Sequence, residues 1–107
     1  YKKALQVRTL IQREFDRALE GRDLILAPVA PTTAYRIGEK MSDPLQMYLG
    51  DVCTVPVNIA GLPALSLPCG EDRDGLPVGM QLIGKAYSEA LLYRAGYAFE
   101  QAGKEDR

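Results

Sequence analysis

The sequence has 107 residues, of which 13 are basic and 14 acidic, so the net charge is −1 and there is no histidine. This length allows at most one domain with a modest core, and the balanced charge excludes a global attraction to nucleic acid or to an anionic membrane. No uncharged apolar run is long enough to span a bilayer, and the first residues form a polar helical pattern rather than a secretory signal.

The two cysteines, Cys53 and Cys69, do not have C-x-x-C spacing. Because zinc sites usually need several cysteine or histidine ligands, we expect no metal site in these residues. The thiols are expected to be free and to behave as small apolar side chains in a cytosolic protein. Without histidine, the chain cannot form a Ser-His-Asp or Cys-His catalytic group.

Residues 2–20 are predicted to form the first helix, which Gly21 would end. Its apolar side chains recur at helical spacing and fall within about 80° of one another at ~100° per residue. They are Ala4, Val7, Ile11, Phe15 and Ala18, flanked by Leu10 and Leu19. Arg8 lies beside this stripe. It would either clamp a carboxylate in a buried site or pack its stem and pair structurally with a neighbouring acid.

The next apolar run, residues 24–30, shows no alternation with polar residues. That pattern is typical of a strand covered on both faces in the middle of an α/β sheet. Pro28 limits hydrogen bonding, so we expect the strand to end near it. Residues 31–42 have the composition of a loop, and a connection of this length often lines a functional site.

A short helix is predicted next, with Asp43 as its N-cap and Pro44 at its first position. Its apolar face would consist of Leu45, Tyr48, Leu49 and Val52. Asp51 lies off that face and near the helix C-terminus, where the helix dipole disfavours a carboxylate by about 0.3–1 kcal/mol. An acid in this unfavourable place is either there to bind a partner, or it is a surface acid that is solvated or paired with a nearby lysine. Residues 54–63 contain two prolines and a glycine and are predicted to be an apolar connection rather than a helix.

Two further strands, residues 64–68 and 76–83, flank a polar stretch at residues 69–75 that closes with Asp-Gly. This arrangement predicts a hairpin with a loop longer than two residues. Gly84 would end the second strand.

Ser88 can cap a final helix, and Gly103 can end it. The predicted buried stripe of this helix consists of Leu91, Leu92, Ala95, Ala98, Phe99 and Ala102. Gly96 costs about 1 kcal/mol relative to alanine in a helix, so it marks either a close contact or a tolerated position.

In chain order the elements are a helix, a strand, a long loop, a short helix, a connection, two strands and a helix. This is an α/β pattern with three strands and three helices. Three strands make an incomplete sheet, and the first helical stripe has no cap before it. We therefore expect these residues to be a piece of a larger domain.

Several passages resemble the amidase signature family. Residues 58–70 (NIAGLPALSLPCG) and 75–84 (GLPVGMQLIG) show the family-wide likeness. Residues 7–11 (VRTLI), 27–34 (APVAPTTA) and 43–51 (DPLQMYLGD) resemble one branch of it, the A subunits of glutamyl-tRNA(Gln) amidotransferases. The likeness implies a single amidase domain with a mixed β-sheet flanked by helices. This chain would be its C-terminal portion, without the catalytic N-terminal portion.

The resemblance also implies an activity and a set of partners. The parent protein would hydrolyse glutamine to glutamate and ammonia in a cytoplasmic heterotrimer with the B and C subunits. A partner subunit would use ATP and Mg²⁺ to activate glutamate carried on tRNA, and the ammonia would convert it to Gln-tRNA(Gln). The tRNA would contact mainly that partner subunit, and no membrane would be involved.

In this family a serine nucleophile is assisted by a second serine and a lysine, within a glycine- and serine-rich region that the chain lacks. The resemblance therefore assigns no catalytic residue here, and the isolated chain is expected to be inactive. Ser42, Ser66 and Ser88 are explained as a cap, a strand residue or a turn residue. One role carries over by position, because Asp51 matches the aspartate that binds the α-amino group of glutamine. Arg8 inherits no role.

Two other functions fit the same residues. The first is another amidase signature hydrolase, which would act on a different amide without tRNA and would need no ammonium-binding acid at position 51. The second is a non-catalytic interaction module complete in itself. Such a module would unfold cooperatively in isolation and would leave no apolar sheet edge exposed.

Overall fold

The structure is a computed structural model, and it describes residues 1–38, 45 and 49–105. These residues form three helices and three strands, which confirms the predicted α/β class. The elements are α1 (Lys2–Leu19), β1 (Leu24–Pro28), α2 (Val55–Ala60), β2 (Ala64–Glu71), β3 (Pro77–Gly84) and α3 (Glu89–Glu105).

The three strands form one sheet in the order β1-β3-β2, and both pairings are antiparallel. They therefore represent only an antiparallel part of the mixed sheet that the family resemblance implies. The hairpin is confirmed, but β2 runs three residues further than predicted and passes through Pro68. A register shift between Pro68 and Gly70 makes this possible, because a bulge on an edge strand tolerates a proline without a ladder hydrogen bond.

One face of the sheet is covered by α3. The core there consists of Leu67, Met80, Leu82 and Leu92, with Leu24, Leu65 and Ala95 packed against it. Gly96 marks a close contact, since a Cβ added there would lie 2.6 Å from the Leu65 side chain. The predicted stripe is buried only in its first part, because Ala98, Phe99 and Ala102 are exposed. The helix also continues past Gly103 to Glu105 rather than ending at the glycine.

Ser88 precedes α3 as predicted, but its hydroxyl does not cap the helix. The hydroxyl donates a 2.6 Å hydrogen bond to the carbonyl of Lys85, while the Ser88 carbonyl accepts the first helical bond from the Leu92 N–H. The backbone of Ser88 therefore begins the helix, and its side chain closes the turn that follows β3.

The predicted helix at the N-terminus is present, but its apolar stripe is not buried along its length. Only Leu19 is fully buried, while Leu5, Val7 and Leu10 are between 42% and 57% exposed. The helix contacts α2 and β1, and no described element covers its first half. Periodicity therefore predicted the helix and its apolar face, most of which the described residues leave uncovered.

Strand β1 also differs from its prediction, because it is not covered on both faces. It forms one edge of the described sheet, and Leu26 is 65% exposed. Leu26 is the ladder partner of the buried Leu82, so α3 covers the centre of the sheet and leaves β1 open. The strand does end at Pro28, as predicted.

The prediction for residues 54–63 was wrong, since they contain α2 rather than an irregular connection. Pro56 lies in the first turn of α2, where its missing N–H costs no helical hydrogen bond. Gly61 ends the helix at φ 72°, and its N–H contacts the carbonyls of Val57 and Asn58. The predicted cap residues Asp43 and Pro44 lie outside the described residues, as does Tyr48. Leu45 and Leu49 are helical.

In the described part of the chain, no helix is long and apolar enough to cross a membrane. The same residues contain no group of three or more cysteine, aspartate or glutamate side chains that could hold a metal ion.

Candidate functional site

The sequence-predicted site residue, Asp51, lies in the turn that leads into α2. Its side chain is exposed, and within the described residues no hydrogen bond or ion pair engages its carboxylate. Its backbone carbonyl is engaged: it accepts bonds of 3.1 Å from the Thr54 N–H and 3.0 Å from the Val55 N–H. The turn is therefore held by its main chain, and the carboxylate takes no part in holding it.

A residue that sequence reasoning missed, Gln81, connects this turn to the sheet. Its side chain is only 2% exposed, and its Nε2 donates bonds of 2.9 Å to the Pro28 carbonyl and 2.8 Å to the Cys53 carbonyl. A buried amide without partners would be costly, and these two bonds satisfy both of its N–H groups. The signal for it was a single polar residue inside the apolar pattern of residues 78–83.

An open cleft of about 430 Å³ lies next to this junction. Residues 28–34, after β1, form one wall, and Pro77, Val78 and Gly79 of β3 form the other. Pro28 belongs to the cleft and also accepts the Gln81 hydrogen bond, so the cleft and the Asp51 turn share one anchoring residue. The first residues of the predicted long loop, 31–34, line this cleft.

The other residues considered from the sequence do not join this site. Arg8 is exposed on α1. The ion pair within the described residues joins Arg17 to Glu14 instead, at 3.4 Å on the surface. Ser66 is exposed on β2, and Ser42 lies outside the described residues.

The cysteines do not form a disulfide: Cys53 is half-buried and Cys69 is exposed. Cys53 contributes its backbone carbonyl to the Gln81 contact, so its thiol is not needed for that interaction.

A second polar contact fixes the loop after β1 to the β2–β3 hairpin. The Thr33 hydroxyl donates a 2.7 Å hydrogen bond to Asp72, whose other oxygen accepts the N–H groups of Asp74 and Leu76, each at 2.9 Å. The bond from Thr33, followed by those from the backbone, lowers the pKa of the Asp72 carboxyl from its usual value of 3.8. The carboxylate therefore closes the hairpin loop and ties the cleft wall to it.

This contact predicts a pH dependence of stability. Because the folded state lowers the pKa of Asp72, the unfolded chain binds more protons at pH values between the folded and unfolded pKa. The stabilisation is complete above the unfolded value and is lost as the pH falls through the folded one. Asp72→Asn should therefore lower Tm at neutral pH, with the difference from the wild type closing in acid.

The measurement is Tm as a function of pH, from about 7 down to about 2, a range that spans the carboxyl titration. Asp74→Asn is the matched control, because it removes a carboxylate of the same loop that accepts no hydrogen bond in the described part of the chain. In this control, Tm should change with pH as it does in the wild type. If Tm falls with pH in parallel in the wild type and in Asp72→Asn, the Thr33–Asp72 contact contributes nothing to the pH dependence of stability.

Comparisons of this chain with known proteins all find amidase-family proteins. The family model described as Amidase matches residues 1–93. The A subunit of the glutamyl-tRNA(Gln) amidotransferase from Moorella thermoacetica is 60% identical over 107 residues, which are 100% of this chain and 22% of that protein. The chain thus spans about a fifth of the length of that relative.

Two solved structures share the fold. The crystal structure of the glutamyl-tRNA(Gln) amidotransferase A subunit from Thermotoga maritima superposes with a TM-score of 0.81 and 45% identity, over 87% of this chain and 20% of that one. Allophanate hydrolase from Kluyveromyces lactis superposes with a TM-score of 0.71 and 30% identity, over 88% of this chain and 15% of that one.

Proposed function

The chain belongs to the amidase family, and on that premise we propose that it is the C-terminal portion of the glutamine-hydrolysing A subunit of a glutamyl-tRNA(Gln) amidotransferase. The observation that carries this proposal is the 60% identity with such a protein over the whole chain. The hydrolase from Kluyveromyces lactis shares the fold at half that identity, which favours the amidotransferase over a hydrolase of another amide.

The exposed apolar surface argues against the third possibility, a complete interaction module. Leu26 on the open edge strand and the outer part of the α1 stripe leave apolar side chains in water. Such surfaces are typical of a region that packs against more protein. Under this proposal the rest of the parent polypeptide covers them.

The role of this portion is to form one wall of the glutamine pocket. Asp51 would bind the α-ammonium group of glutamine through charge-assisted hydrogen bonds. Its exposed carboxylate and its fixed backbone support this role, since the group is available without rearrangement of the turn. The nucleophilic serine, its partner serine and the lysine base would lie elsewhere in the parent protein, so this chain alone would be inactive.

The partners follow from the same proposal. The B and C subunits would complete a cytoplasmic heterotrimer, and one of these partners would bind ATP, Mg²⁺ and most of the tRNA. The ammonia released from glutamine would pass to that partner, where it would convert Glu-tRNA(Gln) to Gln-tRNA(Gln). The net charge of −1 fits a chain that does not itself bind the tRNA strongly.

The test is glutamine hydrolysis by the full-length protein, measured with and without the B and C subunits and with Glu-tRNA(Gln) and ATP present. We expect release of glutamate and ammonia in the complex, with transfer to tRNA only when ATP is added. The 107-residue chain alone should show no turnover. A full-length protein that hydrolyses another amide and leaves glutamine intact would overturn the proposal, as would turnover by the pure 107-residue chain.

A further inference from the structure

We propose that Gln81 is a positioning residue for the glutamine pocket, a role that rests on the function proposed above. Its buried carboxamide would hold the turn at residues 51–54 against the sheet, so that the Asp51 carboxylate meets the α-ammonium group of the substrate. The residue touches neither the substrate nor the reacting atoms, and it acts through Asp51.

The placement of Gln81 supports this role. It lies on the central strand β3, with Ala27 of β1 and Ser66 of β2 as its ladder partners. Its hydrogen bond to the Pro28 carbonyl stays at the end of β1, whereas its bond to the Cys53 carbonyl reaches across 28 residues of sequence. This second bond is therefore the polar link between the central strand and the turn that contains Asp51.

Packing against α1 and a 3.4 Å hydrogen bond from Gln12 Nε2 to the Ala60 carbonyl hold α2, the helix that follows the turn. The carbonyl of Asp51 bonds to the N–H groups of Thr54 and Val55, and the carbonyl of Thr54 accepts the Asn58 backbone N–H and side-chain amide. The bonds to the Asp51 and Thr54 carbonyls are internal to the turn and α2. They set its shape, while the Gln81 bond to Cys53, two residues after Asp51, ties the turn directly to the central strand.

The chemistry of the side chain also favours a positional role. An apolar residue could fill the same place on β3 without needing hydrogen-bond partners, as its neighbours Met80 and Leu82 do on the opposite face. A buried amide is stable here only while both carbonyls are in reach, so it fixes their separation. Displacing a binding group by about 1 Å can lower a reaction rate as much as 100-fold. A fixed separation between the Pro28 and Cys53 carbonyls can therefore affect function.

The test uses Gln81→Met in the full-length protein assembled with its partner subunits, because methionine has a similar shape and no N–H. We expect the KM for glutamine to rise by about 10-fold, the effect of a weakened hydrogen bond to a charged group, with kcat changed far less. The second substrate is glutaramate, which keeps the amide and the carboxylate but lacks the α-amino group. Its KM should not change.

Two further variants separate positioning from general damage. In an Asp51→Ala background, Gln81→Met should add no further rise in KM, because the group that it positions is gone. Ile83→Val is the matched control: this residue is buried on the same face of β3, and its side chain has no polar atom to bond to the turn. It should lower Tm and leave KM unchanged. If Gln81→Met does not fold, Gln81→Asn serves instead, since its amide is one methylene too short to reach both carbonyls.

The outcomes are distinguishable. A raised KM in Asp51→Ala with an unchanged KM in the folded Gln81 variant overturns this inference alone. An equal rise for glutamine and glutaramate, or a full additional rise in the Asp51→Ala background, also overturns it by showing a purely structural role. An unchanged KM in Asp51→Ala overturns the assignment of the pocket, and this inference with it.

Discussion

Under the proposed function, replacing Asp51 with alanine in the full-length protein is expected to raise the KM for glutamine by about 10- to 100-fold, since a hydrogen bond to a charged group contributes roughly 1.5–3 kcal/mol. The change should appear mainly in KM, because the α-ammonium group is remote from the amide that reacts and is bound alike in the ground state and the transition state. The measurement is steady-state hydrolysis of glutamine over a range of concentrations.

The structure makes Asp51→Ala a clean substitution. The carbonyl of Asp51 holds the start of α2, and alanine keeps that carbonyl, so the turn should persist while the negative charge is lost. Asp74→Ala is the control, since it removes an exposed acid of the β2–β3 loop and should leave KM unchanged. A native Tm in Asp51→Ala with an unchanged KM would remove the assignment.

Leu82→Ala is expected to destabilise the fold by about 2–5 kcal/mol, the cost of a large cavity in a packed core. Leu82 is 4% exposed and belongs to the cluster with Leu67, Met80 and Leu92 under α3. Its ladder partner Leu26 is 65% exposed in the same sheet, so Leu26→Ala in the 107-residue chain should cost less than about 1 kcal/mol.

The measurement is urea denaturation of the 107-residue chain and of both variants. Both the midpoint of the transition and the dependence of the unfolding free energy on urea concentration are compared. The pair tests whether α3 covers the centre of the sheet and leaves β1 open, as the structure describes it. Equal losses of unfolding free energy in the two variants would contradict that description.

The elements with strong periodicity could be predicted closely from the sequence. Helix α1 was predicted at residues 2–20 and spans Lys2–Leu19, and β3 was predicted at 76–83 and spans Pro77–Gly84. The burial of α1 and β1 could not be predicted in the same way. An apolar pattern shows which face avoids water, but it does not show whether a covering element lies within the same chain.

The missed helix α2 had readable signals. Pro56 in a first turn and Gly61 after a last turn follow the usual preference for proline at helix starts and glycine at helix ends. Treating the two prolines and the glycine only as helix breakers misses the six-residue helix that contains Pro56 and ends before Gly61. Short helices lack the repeated periodicity that identifies longer ones, so their end residues are the main evidence available in a sequence.

The sequence predicted one of the two residues of the candidate site, Asp51, and missed the other, Gln81. Asp51 was singled out by family resemblance and by its position near a helix end, both of which are local in the chain. Gln81 lies 28 residues from Cys53, the turn residue it holds, and that link depends on the strand order, which a sequence pattern alone does not specify. A polar residue between two apolar ones in a strand is best treated as a buried group in need of partners.

The most direct test of the whole account is a crystal structure of the complete protein with glutamine bound. We predict that the α-ammonium nitrogen of glutamine lies about 2.7–2.9 Å from an Asp51 carboxylate oxygen, the distance of a charge-assisted hydrogen bond. Glutamine bound with its ammonium group on other residues, and the Asp51 carboxylate facing bulk water, would contradict it.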